Sequence, residues 1–293
     1  MKRSGIVWKT LRDVRVTALA IGGTCFGMAL FAILIYPEYA ASFGDVDLPD
    51  FYDSFTGGLD ITSPEGFLNA EFYSWIPILL IVQAIIGGTG ALAGEEGSGT
   101  MDQLLAQPVR RRDLVLKKTA GVSIGIVLST AASLPGIWIG SALVEFDVSQ
   151  PKLVLATLNM APLALFYLGI SIWAGATFPT RGAAAVVAVG AVVVPFLVYT
   201  VLGAAGFAEG IQKLTPFYWG EATEILKGNA RWQPAAVFLA LFAGFVALAV
   251  VAFERRDIAV GGWSPMAAVR RLASRGAQDE PEGGAAQRLQ GSR

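Results

Sequence analysis

Apolar residues run along this chain in long, nearly unbroken stretches. They do not alternate as in a half-buried strand, nor recur every three to four residues as on a surface helix. A helix needs about 20 apolar residues to cross a hydrocarbon core roughly 30 Å thick. Six stretches qualify, at about 16–36, 74–93, 120–144, 153–178, 183–207 and 235–253. Phe178, Pro179, Thr180, Arg181 and Gly182 punctuate the short gap between the fourth and the fifth. The pattern predicts an all-α membrane protein with six transmembrane helices occupying residues 16–253.

The flanks add shorter elements. In residues 1–15, Val7, Leu11 and Val14 recur at helical spacing beside Trp8, with Lys9, Arg12 and Asp13 off that stripe. This reads as an interfacial helix on the inner leaflet; the alternative is a solvated extension of the first span. The first apolar run is too long for a signal-peptide core of about 7–15 residues, and no small-x-small cleavage site follows it. Ser63, Pro64 and Glu65 signal a helix start, with Phe67, Leu68 and Phe72 as its apolar side. Phe217, Tyr218 and Trp219 read as an aromatic belt at the membrane edge. In the tail, 254–293, Ser264 and Pro265 can start a short helix, and the polar, Gly-rich stretch beyond Gly276 is expected to be disordered.

Charge orients the spans. Only 15% of residues are charged, against roughly 25% in soluble domains. The segment before the first span carries five Lys and Arg, that between the second and third another five, and the tail seven. The loop from Pro37 to Tyr73 has none, against eight acidic residues. Summed alternately, 18 basic residues fall on one side and 4 on the other. The positive-inside rule then puts both termini in the cytoplasm of a multi-pass cell-membrane protein.

Composition also excludes chemistry. There is no histidine, so no imidazole base, His-ligated metal or Ser-His-Asp triad. The single cysteine, Cys25, reads as a buried structural thiol. No Gly-x-x-x-x-Gly-Lys-Ser/Thr loop occurs, so no ATP is expected on a phosphate loop of this chain. No catalytic, cofactor-binding or metal site is expected. No charged residue sits at the centre of a span; Gln83, Ser129, Thr130, Ser133 and Asn159 are the polar candidates there, with Gln83, Ser133 and Asn159 the possible pathway residues. They serve equally well as interhelical hydrogen-bond partners. In the third span Gly121, Gly125, Gly136 and Gly140 permit close helix packing, and Pro135, Pro162 and Pro195 are expected to kink spans three, four and five.

The segment from Gly94 to Lys118 carries the most information. Thr100 and Gln103 fit a capping box. Met101, Leu104 and Leu105 form an apolar patch, Pro108 ends the helix after about two turns, and Asp113 is placed to cap the third span. Two turns are not stable alone in water. The lipid interface or a groove on a soluble partner must cover that patch.

This segment resembles that of ABC-2 type ABC transporter permeases of prokaryotes. The matching residues are Glu95 or Glu96, Gly99, Thr100, Leu104, Leu105, Pro108, Val109, Arg111 and Lys118. The ending Phe253-Glu254-Arg255-Arg256-Asp257 is also similar, and the Thr215–Tyr218 stretch is similar to a branch for which an archaeal source is one candidate. The resemblance implies that the helix after the second span is a coupling helix docked on a separate ATPase subunit. ATP and Mg then belong to that partner, and a second permease chain, identical or related, completes the pathway. Met101, Leu104 and Leu105 would fill the ATPase groove. Glu95 and Glu96 would pair with arginines of the partner or with Arg110, Arg111 or Arg112; simple positive-inside anchoring is the competing reading of that triplet. The implied function is an ATP-driven permease subunit, an exporter by expectation. A secondary transporter, or a membrane assembly protein recruiting a cytoplasmic partner, stands as the alternative.

Overall fold

The computed structural model describes residues 5–43, 58–97, 110–205, 209–229 and 231–256. Among the described residues the secondary structure is helical, and six helical runs are long and apolar enough to cross a membrane. They are Gly5–Ser42, Pro64–Gly94, Arg111–Leu143, Gln150–Thr177, Arg181–Val201 and Gln233–Arg255, numbered here as spans 1 to 6. The expected two-turn coupling helix, with Gly99, Thr100, Met101, Leu104, Leu105 and Pro108, lies outside the described residues, as does the tail beyond Arg256.

Span 1 belongs to a helix of 39 residues, Gly5–Phe43. At 1.5 Å per residue it is about 58 Å long, far more than the roughly 30 Å of hydrocarbon it needs to cross. Residues 5–15, expected as a separate interfacial helix, are the opening turns of this same helix. Missing side chains hold them against span 3. A Cβ added to Gly121 would lie 2.7 Å from the Thr10 Cβ, and one added to Gly136 would run into the Phe26 carbonyl. Helices draw this close only where one of them presents no side chain.

The prolines behave differently from one another. Span 3 is two helices, Arg111–Ala131 and Ser133–Leu143, parted at Ala132. Pro135 has no N–H for the carbonyl four residues back, at Ala131, and the interruption falls there. Pro162 and Pro195, expected to kink their spans, both sit inside uninterrupted helices. Pro37, at the expected start of a loop, also lies within the first helix. Asp113 does not cap span 3: the helix starts after Arg110, and Asp113 occupies its first turn, where a carboxylate complements the helix dipole.

Span 4 is the hub and packs on spans 2, 3, 5 and 6. Of its most apolar stretch 67% is buried, against 11% for span 5 and 22% for span 6. The last two therefore turn most of their surface outward. The core joins Phe166, Tyr167 and Ile170 of span 4 to Ile81 of span 2 and Phe238 of span 6. Phe217 joins them, which corrects its placement in an aromatic belt. Thr215 caps the short helix Pro216–Gly220 by accepting from the Tyr218 N–H, and the Phe217 ring turns inward, 5.3 Å from Phe196 and 5.9 Å from Tyr167. Tyr218 and Trp219 stay at the surface. At the same end of the bundle, Ser63 caps Pro64–Leu68 as expected, accepting from the Gly66 N–H at 3.1 Å. The buried Asn69 amide there donates to the Thr223 hydroxyl at 3.2 Å.

Candidate functional site: the charged end of the bundle

Span 2 closes with glycines. Its α-helix ends at Thr89, and Gly90–Gly94 form one π-helical turn before Glu95. Such a turn widens the helix by one residue and re-aims the side chains beyond it. Consecutive residues on a helix point about 100° apart, so Glu95 and Glu96 serve different neighbours. Glu95 turns to spans 1 and 3: its Oε1 lies 3.2 Å from Lys9 Nζ and its Oε2 2.7 Å from Lys118 Nζ. Glu96 turns to the end of span 6, with Oε1 2.8 Å from Arg256 Nη2.

The network continues from Arg256. Its Nη1 donates to the Phe178 carbonyl at the end of span 4, 3.2 Å away. Its own carbonyl accepts from Arg111 Nη1 at 2.7 Å, and the same nitrogen lies 3.4 Å from the Phe253 carbonyl. Arg111 thus satisfies the orphan carbonyls that end every helix, here those of span 6. Arg181, opening span 5, reaches the Ile86 carbonyl of span 2 at 3.5 Å. Spans 1, 2, 3, 4 and 6 are therefore tied at one end into a polar belt, and Arg181 fastens span 5 to span 2 beside it. Gly97 and Arg110, the described residues that flank 98–109 in the chain, adjoin Glu96 and Arg111 of this belt.

Burial makes parts of this belt costly to disturb. The Lys118 side chain is 4% exposed and that of Glu95 13%, whereas Lys9 is 42% exposed. Taking one partner from a buried pair leaves a desolvated charge and costs about 3–5 kcal/mol. The Lys9 contact adds much less, because water screens it.

Of the residues singled out from sequence, the fold brings Glu95, Glu96, Arg111 and Lys118 into one network. The expected partners of the glutamates are the arginine triplet or a second protein. Within the chain they meet Lys9, Lys118 and Arg256 instead, and Arg111 is occupied with the end of span 6. The three possible pathway residues are dispersed. Gln83 is 2% exposed and lines a cavity at this end of the bundle. Ser133 is fully buried beside Cys25. Asn159 is half-buried on span 4, and neither it nor Ser133 lines the cavity. Lys9, Asp13, Arg181 and Arg256 join the site without having been singled out as site residues from the sequence. Charge patterning signals that they share one face of the membrane, but pairing depends on the rotation of each helix.

The cavity measures about 410 Å³ and is bordered by spans 1, 2, 3 and 5. Among the described residues no cluster of carboxylates and cysteine forms a metal centre. Among curated proteins, none matches the chain. The family model for ABC-2 family transporter proteins matches residues 5–258.

Proposed function

The chain belongs to the ABC-2 transporter family, and from that premise we propose that it is the permease subunit of an ATP-driven exporter, coupled to a separate cytoplasmic ATPase through residues 98–109. The observation that carries this reading is the position of that segment. It lies in the chain between Glu96 and Arg111, both members of the polar belt that joins the ends of spans 1, 2, 3, 4 and 6. A push delivered to the segment reaches span 2 through Glu95 and Glu96, span 3 through Arg111 and Lys118, and spans 4 and 6 through Arg256. Proteins transmit such motion through contiguous rigid contacts with two arrangements.

In this reading the belt lies on the cytoplasmic side, both termini are cytoplasmic, and ATP and Mg are held by the ATPase. A second permease chain completes the pathway. The outward-turned surfaces of spans 5 and 6 leave room for such a neighbour as well as for lipid. Met101, Leu104 and Leu105 fill the ATPase groove, with Gly99, Thr100 and Pro108 setting the ends of the coupling helix.

The test is Leu104→Asp combined with Leu105→Asp in the full chain, expressed with its ATPase. Loss of co-purification with unchanged membrane insertion is the expected result. Retained ATPase, with intact ATP-driven transport, would overturn the docking assignment.

A further inference from the structure

Two features of the cavity at the charged end point to a ligand. The first is Gln83. Its side chain is buried against Gly125 of span 3, lines the cavity, and among the described residues neither its amide nitrogen nor its amide oxygen finds a hydrogen-bond partner. An amide holds two donors and two acceptor sites, and leaving them unmet beside apolar walls is costly. Buried polar groups of this kind call for a partner that the bare protein does not supply.

The second is the charge at the rim. Four charged residues line the cavity: Asp13, Glu95, Lys118 and Arg181. Glu95 and Lys118 neutralise each other at 2.7 Å. Among the described residues, Asp13 has no cation within 4 Å and Arg181 no carboxylate within 4 Å. Both are exposed. Gly90 and Gly94 lie alongside the Arg181 side chain: a Cβ at Gly90 would lie 3.6 Å from its Nη2, an ordinary contact. One anion that acts on Lys118 only at a distance and one cation that touches only the Ile86 carbonyl therefore face the same space, with Val14, Ile86 and Val122 as apolar wall beneath them. Few polar groups converging over an apolar wall is the ordinary form of a small-molecule site.

We propose that this cavity binds a zwitterionic amphiphile, its phosphate or carboxylate on Arg181, its primary amine on Asp13, and a polar linkage such as an ester on Gln83. A volume of about 410 Å³ holds a head group and its linkage rather than a whole lipid. Among the described residues spans 1 and 5 both border the cavity without close packing on each other, and acyl chains would leave toward the bilayer between them. Arg181 suits the anionic end because a guanidinium holds a phosphate or carboxylate with two parallel N–H bonds. The inference rests on the permease reading only in taking the occupant for cargo. Binding is measured without the ATPase, so the two fail separately.

The experiment uses the purified full chain incubated with vesicles of equal phosphatidylethanolamine, phosphatidylglycerol and phosphatidylcholine, re-isolated, and its retained lipid quantified. The expected result is retention of phosphatidylethanolamine over the other two, since the glycerol head lacks the amine and choline cannot donate to Asp13. Arg181→Gln and Asp13→Asn each lower that retention about tenfold, as loss of a hydrogen bond to a charged group does. Gln83→Leu lowers it several-fold, and Arg12→Gln, an exposed charge outside the cavity, leaves it unchanged. Free phosphoethanolamine separates the sources. Displacement of the lipid shows that the head group suffices and admits a soluble zwitterion; no displacement assigns the site to a bilayer lipid. Equal retention of the three lipids, or retention unaltered in Arg181→Gln and Asp13→Asn, overturns the proposal. So does a rise in phosphatidylglycerol retention alone. Asp13 and Arg181 are exposed, so their variants keep the fold, and a monodisperse elution profile checks that they do.

Discussion

Glu96 and Arg256 lie 160 residues apart in the chain and 2.8 Å apart in space, joining the end of span 2 to the end of span 6. Neither is fully buried, at 17% and 18% exposure. The guanidinium also holds the Phe178 carbonyl, so one side chain closes three spans. Arg256→Gln should lower stability by about 2–3 kcal/mol, at or just below the range of about 3–5 for a fully buried pair, because both partners keep some exposure. Arg256→Lys should recover only part of that, because an ammonium does not reproduce the fork. Thermal unfolding in detergent, followed by loss of monodisperse protein, measures both.

Lys118 is the more deeply placed cation. Lys118→Met should cost about 3 kcal/mol by stranding Glu95, partly relieved by Lys9. Adding Glu95→Gln to Lys118→Met should restore much of the loss, since the stranded charge is gone. Full additivity of the two losses in a double-mutant cycle would contradict the pairing.

The six spans are legible in sequence because their signal, long apolar runs, is one-dimensional. Glycines that allow close packing in span 3 are legible too, but their partner is not: only the fold shows that Gly121 and Gly136 face Thr10 and Phe26. The segment from Gly94 to Lys118 stands out by its motif, and Glu95, Glu96, Arg111 and Lys118 do converge. Lys9 reads as one of several flanking cations and Arg256 only as part of the Phe253–Asp257 ending, and helix rotation alone decides which cation pairs. Phe217 reads as belt because three adjacent aromatics look alike on paper; the Thr215 cap sets which of them points inward. The cavity draws on Gln83, which stands out among the polar residues of the spans, and on Asp13 and Arg181, which read only as flanking charges.

Close packing of span 1 on span 3 gives a second stability test. Gly136→Leu would drive its side chain into the Phe26 backbone, and backbone yields less readily than a flexible side chain. A loss of at least about 1–3 kcal/mol is expected, the usual cost of overpacking. Gly23→Leu, where nothing lies within 4 Å, should change stability little. The same detergent unfolding assay compares them.

Glu221 makes the far end of the bundle pH-sensitive. Burial pushes its carboxyl up to about 7, with Glu224 adding and Lys227 opposing. A carboxyl raised in the folded state stabilises most below its unfolded value and loses that stability as pH rises through about 7. Stability should therefore fall between about pH 4.5 and 7.5, by at most about 3 kcal/mol. Glu221→Gln should flatten that slope. A profile of unfolding temperature against pH that is identical for wild type and Glu221→Gln would remove Glu221 as its cause.

The most direct test of the coupling account is the ATP hydrolysis rate of the ATPase with and without this chain in proteoliposomes. The account predicts that wild type changes the rate several-fold. Glu96→Arg should abolish the change while the ATPase remains bound, and Glu96→Arg with Arg256→Glu should restore it. A rate indifferent to the presence of the chain, or a Glu96→Arg variant that couples as well as wild type, would contradict it.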